Sequence, residues 1–176
     1  MSFKNPTYIV LDLPKEVSEK VMKIRVANKD EFRASLPVEI TITGSTGVGV
    51  ISNNQSEEFV YEEIKKIASR TKPIKLVFSH VEQVRDTGIY VLKLKDESKL
   101  RMLHNDFKNV GIKYAGMEYG YSPHCTLRSR KPITDNEIKK LQETKIEDEF
   151  IVDTLSVYML DKLPITKKMT VKLTGK

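Results

Sequence analysis

Between Tyr8 and Leu13 the chain alternates, with Ile9, Leu11 and Leu13 on one side, which predicts a strand that Pro14 closes. The period then changes. Val17, Val21 and Ile24 recur at helical spacing and predict an amphipathic helix from about Lys15 to Ala27. Leu36 to Gly44 alternates again, with Val38, Ile40 and Ile42 on the core face and Glu39, Thr41 and Thr43 on the other. Asn54 and Glu57 form a capping-box pattern ahead of Val60, Ile64 and Ile67, a second helix reaching about Arg70 before Pro73. A strand from Lys75 to about Val84, a turn at Asp86-Thr87-Gly88 and a strand from Ile89 to Leu94 follow. Asp96 can cap a third helix marked by Leu100, Leu103 and Phe107 and ended by Gly111.

Tyr121 to Arg128 predicts a further strand, with His124, Thr126 and Arg128 on one face and Cys125 and Leu127 on the other. Thr134 and Glu137 form another capping box, opening a helix through Ile138 and Leu141. Two last strands are expected, Phe150 to Leu160 and Lys168 to Leu173, the latter with Met169, Val171 and Leu173 inward. Each half therefore reads strand, helix, polar-faced strand, helix, strand, and the two polar-faced strands lie about half the chain apart. This predicts a duplicated α+β fold, with lobes of about 8–84 and 88–160 and a final strand over 168–173. Each lobe is expected to be an antiparallel-rich sheet with helices outside, the pair related by a pseudo-two-fold axis. A central groove should then run between the Glu39 and His124 strands.

Composition narrows the class. The 176 residues carry a net charge of +6 and one cysteine, so no internal disulfide forms, and Cys125 is expected to pack. No apolar run approaches the roughly 20 residues that span a bilayer, and no signal-peptide pattern opens the chain, so a cytoplasmic protein without membrane contact is expected. The basic balance favours polyanions such as RNA. Lys162, Lys167, Lys168 and Lys172 near the C-terminus read equally as a solvated face. Gly44 to Gly49 is rich in glycine but lacks the Gly-Lys-Ser/Thr ending of a phosphate-binding P-loop, so a connecting loop is expected. His104 reads as a helix-boundary side chain and His80 as a partly buried structural one. Neither has zinc-ligand spacing, so no metal and no cofactor are expected. Tyr114, Tyr119 and Tyr121 are expected to pack, with stacking on bases as the alternative and Tyr121 placed best for it.

The chemistry concentrates in Pro123-His124-Cys125-Thr126-Leu127 and Glu39-Ile40-Thr41-Ile42. An imidazole, a hydroxyl and a guanidinium on one face can move a proton and hold a phosphoryl group. With these two stretches and its element order, the chain resembles the two-histidine phosphoesterases, among them proteins described as 2′-5′ RNA ligase or RNA 2′,3′-cyclic phosphodiesterase. The resemblance implies two H-x-T motifs, one histidine acting as general base and the other as general acid, with the threonines on the phosphate. His124 and Thr126 match one motif and Thr41 the threonine of the other, while Glu39 replaces its histidine.

That replacement sets three readings. In the first, the chain works on 2′,3′-cyclic or 2′-5′-linked RNA ends, with Glu39 as base, His124 as acid, and Thr41, Thr126 and Arg128 on the phosphate. Thr43 and Tyr121 then complete the groove. In the second it binds RNA or a nucleotide without turnover, and in the third the groove takes another ligand. An ionised Glu39 about 5 Å from a phosphate costs roughly 3 kcal/mol at an effective dielectric of about 20, unless Arg128 or a protonated His124 offsets it. Alternatively, Glu39 holds His124 protonated.

Overall fold

A computed structural model describes residues 2–176. In chain order the elements are β1 (Thr7–Asp12), α1 (Lys15–Ala27), α2 (Glu31–Ala34), β2 (Glu39–Thr43), α3 (Glu57–Arg70), β3 (Ile74–Gln83) and β4 (Tyr90–Leu94). There follow α4 (Ser98–Asn109), β5 (Cys125–Arg128), α5 (Asp135–Gln142), β6 (Glu149–Val152), β7 (Thr154–Met159) and β8 (Thr166–Lys172). The strands make two antiparallel sheets, ordered β2-β1-β7-β8 and β5-β4-β3-β6. In both, the polar-faced strand is the edge, followed by the first strand of its own half and then a strand from the other half.

The lobes are thus not the contiguous segments 8–84 and 88–160. β3 joins the sheet of the second half and β7 that of the first, so the halves exchange their last strands. Phe150 to Leu160, expected as one strand, divides at Asp153. β6 pairs with β3 through Val152 and Ile74, while β7 pairs with β1 through Leu155 and Leu11. Asp153 marks the crossing, its carbonyl accepting from Leu173 N–H at 2.7 Å and its carboxylate from Lys172. Helices follow the exchange too: α1 lies on β5, α4 on β2, α3 on β8 and α5 on β3.

A core of Ile9, Leu11, Ile40, Ile42, Leu155 and Val157 fills one sheet, and Leu76, Phe78, Leu92, Cys125 and Leu127 the other, all buried. The Cys125 thiol packs there as expected, pushed up to about 12 by burial. Both motif strands carry the same irregularity. Val10 faces Thr41 and Ile9 faces Thr43, so Ile42 is an extra residue; Val91 faces Thr126 and Tyr90 faces Arg128, so Leu127 is another. Each bulge turns the next side chain inward, and Thr43 and Arg128 are fully buried. A third bulge between Phe78 and Val81 turns His80 outward, so it is exposed instead of partly buried. His104 lies within α4 and is buried. The cap of α3 is Ser56, not Asn54, whereas the Thr134–Glu137 capping box on α5 forms as read. Among the described residues no helix is long and apolar enough to cross a membrane.

Candidate active site

β2 and β5 are the free edges of their sheets and lie side by side. What joins them is Arg25, which extends the Val17–Val21 stripe of α1 by one more turn and is buried. Its Nε and Nη2 donate to the Thr126 carbonyl at 3.1 and 2.9 Å. Its Nη1 reaches the carbonyls of Leu36 and Arg33, each at 3.0 Å, and of Pro37 at 3.1 Å. One side chain thus ties β5 to the segment leading into β2. Asp30 adds a second tie, capping α2 through Arg33 N–H at 3.0 Å and accepting from Ser129 N–H at 2.7 Å.

Between the edges lies a cavity of about 160 Å³ lined by Glu39, Thr41, His124 and Thr126, together with Arg33, Ser45 and Tyr8. Phe32, Leu36, Leu160 and Ile165 give it an apolar rim. Gly44 makes room for Tyr8, because a Cβ there would sit 2.3 Å from the Tyr8 ring. Four of the expected site residues therefore meet. Arg128 does not: its guanidinium donates to the carbonyls of Asn28 at 3.1 Å and Pro132 at 2.8 Å and pairs with Glu137 at 3.3 Å. Thr43 is buried by the equivalent bulge, and neither residue lines the cavity. Tyr121 stands behind β2, where its hydroxyl donates to the Thr41 carbonyl at 3.1 Å and its ring stacks on His104 at 4.0 Å. The cation at the cavity is Arg33, whose Nε donates to Ser129 Oγ at 2.8 Å. Sequence periodicity gave no sign of Arg33, since α2 is a single turn. A sign of Arg25 was present, a charged residue in register with an apolar stripe.

His124 sits at the entry of β5, since Pro123 has no N–H to pair and the preceding residues are held elsewhere. Lys93 donates to Ser122 Oγ at 2.9 Å and to the Pro123 carbonyl at 3.3 Å, and Arg101 to the Tyr121 carbonyl at 2.8 Å. The His124 Nδ1 lies 2.6 Å from the Ser122 carbonyl, which only accepts. That contact assigns the ring proton to Nδ1 and leaves Nε2 with its lone pair. Burial lowers the pKa of His124, and the nearby Lys93 and Arg33 charges lower it further against the carbonyl contact. Glu39 behaves oppositely. Burial pushes its carboxyl up to about 7, against the pull of the Thr41 hydroxyl, which donates to it at 3.0 Å, and of the Arg25 and Arg33 charges. Near neutral pH the pair is therefore a neutral imidazole and a half-protonated acid. Glu39 does not hold His124 protonated. Among the described residues no group of three or more His, Cys, Asp or Glu converges as metal ligands do.

The family model of the 2′-5′ RNA ligase superfamily matches residues 13–163. The chain belongs to that superfamily. This superfamily member is similar to Thermus thermophilus TT0787, with a TM-score of 0.68, 14% identity and coverage of 97% of this chain and 99% of that one. It is similar also to Escherichia coli LigT complexed with 3′-AMP, with a TM-score of 0.62, 15% identity and coverage of 97% and 98%. Kluyveromyces marxianus Usb1 aligns with a TM-score of 0.52 at 10% identity, covering 97% and 99%. At such identities the likeness is one of fold, and it includes the duplicated two-sheet arrangement. Comparison with curated proteins gives no match.

Proposed function

We propose that this superfamily member cleaves or forms 2′,3′-cyclic or 2′-5′-linked phosphodiesters of RNA or nucleotides. His124 is the general base and Glu39, at the place of the first motif histidine, the general acid. The observation that carries the reading is that Glu39, Thr41, His124 and Thr126 line one cavity from two adjacent, equivalently bulged edge strands. The roles are the reverse of those expected from unperturbed acidities, because burial acts on the two groups in opposite directions.

In the hydrolytic direction, His124 Nε2 takes a proton from water as its oxygen attacks phosphorus. The Glu39 carboxyl gives its proton to the ribose oxygen that leaves, and the ring opens to a phosphomonoester. Thr41, Thr126 and Arg33 hold the nonbridging oxygens, and a protonated Glu39 removes the like-charge penalty that an ionised one would impose. Ligation runs the same transfers with a 5′-hydroxyl in place of water, so that His124 takes the hydroxyl proton, the ribose 3′-oxygen leaves with the Glu39 proton, and a 2′-5′ diester forms; cleavage of that diester is the reverse. A nucleotide complex of LigT, a protein of the same fold, agrees with a nucleotide phosphate as ligand.

The test uses an oligonucleotide ending in a 2′,3′-cyclic phosphate, with His124→Ala as control. Turnover by the wild type and its loss in the variant are expected; turnover that survives the substitution overturns the reading. A 2′-deoxynucleoside 3′-(p-nitrophenyl phosphate) assigns the roles, because without a 2′-hydroxyl the nucleophile is water, and nitrophenolate leaves without a proton. On that substrate Glu39→Gln should retain most of its rate while His124→Ala loses it. The opposite pattern would return the base to Glu39.

A further inference from the structure

On the far side of β2 a second, larger groove of about 600 Å³ runs along α4. Arg101, His104, Asn105 and Lys108 line it from one helix face, at i, i+3, i+4 and i+7. Arg101 is paired with Glu97 at 2.6 Å and donates to the Tyr121 carbonyl, and Lys108 stands about 10 Å farther along the axis on the same groove. The opposite bank is the exposed loop from Gly116 to Gly120. There Tyr119 is 40% exposed and carries the Arg85 guanidinium 3.4 Å from its ring centroid. The floor is the His104–Tyr121 stack, its rings 3° from parallel. The His104 Nδ1 is committed to the Ile42 carbonyl at 2.8 Å, which leaves Nε2 as an acceptor. Glu118 is the one carboxylate in this lining.

A thin wall separates the groove from the cavity. Gly47 N–H donates to the Tyr119 carbonyl at 2.9 Å and Ser122 N–H to Thr46 Oγ1 at 3.3 Å, closing two loops against each other. Gly47 is left-handed at φ 73°, and a Cβ there would lie 2.3 Å from His104 Cε1, so only glycine lets the wall seat on the stack. Ser45 lines the cavity and Gly47 the groove, and two residues of chain span at most about 7 Å.

We propose that the groove is a subsite for single-stranded RNA, holding the one or two nucleotides adjoining the phosphodiester at Glu39 and His124. This rests on the function proposed above and extends it, making the substrate an oligonucleotide strand. Lys108 meets a backbone phosphate, and the Tyr119 ring with the Arg85 guanidinium over it meets bases, a combination that suits an unpaired strand.

The experiment compares a single-stranded RNA octamer bearing a 3′-phosphate with 3′-AMP, by fluorescence anisotropy and competition. Lys108→Glu and Tyr119→Ala are used as variants; both residues are exposed and outside the cavity. Each should weaken octamer binding about tenfold or more and leave 3′-AMP binding unchanged. Unchanged octamer binding, or parallel loss of both ligands, overturns the proposal. If the wild type turns over no cyclic phosphate, the catalytic reading fails, and the groove still stands or falls by the same two binding criteria, octamer against 3′-AMP.

Discussion

Arg128 follows His124 and Thr126 on one strand, yet its guanidinium ends on two carbonyls and on Glu137. Arg33, in a single helical turn, reaches the cavity. Their alanine variants should therefore separate stability from binding. Arg128→Ala leaves buried acceptors unpaired and should cost about 3 kcal/mol in urea unfolding, with nucleotide affinity nearly unchanged. Arg33→Ala should cost about 1 kcal/mol of stability, the worth of one hydrogen bond, and weaken 3′-AMP binding about tenfold by titration. Glu39 gives a pH-dependent counterpart. Its carboxyl stands at about 7 in the fold against 4.5 unperturbed, so ionisation costs more folded than unfolded. Well below the unperturbed value both states keep the proton and nothing is lost. As pH rises to about 7, wild-type stability should fall by on the order of 3 kcal/mol and then level off. Glu39→Gln cannot ionise, so its advantage over wild type should be larger at pH 8 than at pH 4 by that amount. Denaturant unfolding at the two pH values checks it, and an equal difference at both would place the carboxyl in water.

At the scale of elements, two edge strands with no ladder between them are held in register by the Arg25 guanidinium and the carbonyls of Thr126, Arg33, Leu36 and Pro37. Arg25→Leu keeps the apolar stripe but strands these buried acceptors, and should cost about 3–5 kcal/mol by urea unfolding. Arg25→Lys, a point charge with shorter reach, should fold and lose turnover more than stability, because it cannot hold both strands at once. The elements themselves were largely legible: α1 spans Lys15–Ala27 as its spacing predicts, and the α5 capping box forms. The alternation rule failed at Thr43, Arg128 and His80, each beside a bulge. A bulge depends on the register of the neighbouring strand, and a single segment does not encode its neighbour. The His124 strand was read four residues too long at its start, because side chains of α4 and β4 hold Tyr121 to Pro123 away from any ladder. Glu39, Thr41, His124 and Thr126 could be picked from residue type and spacing. Their proton affinities could not, since burial and the charges of Arg25, Arg33 and Lys93 set them across the fold.

For the whole molecule the exchanged strands matter most. The duplication invites a cut at the Asp86-Thr87-Gly88 turn, but the cut would separate neither sheet cleanly. A fragment of residues 1–86 keeps β1 and β2 without β7 and β8, and strands β3 with neither β4 nor β6 beside it. Its α1 also loses β5, the strand it covers. Residues 87–176 lose β3 from between β4 and β6, and β7 loses β1. Each fragment leaves Val, Ile and Leu side chains facing water and at least one unpaired strand edge, which a core of this size does not survive. Each alone should give the circular dichroism of a disordered chain and no cooperative unfolding. Refolded together, they should regain the two-sheet spectrum and a cooperative transition, because the backbone cut lies in a turn whose strands pair without it. A cooperative transition from residues 1–86 alone would mean that the halves are self-sufficient. The cavity between β2 and β5 would then be a docking of two domains, whereas exchange makes its walls parts of one interlocked core.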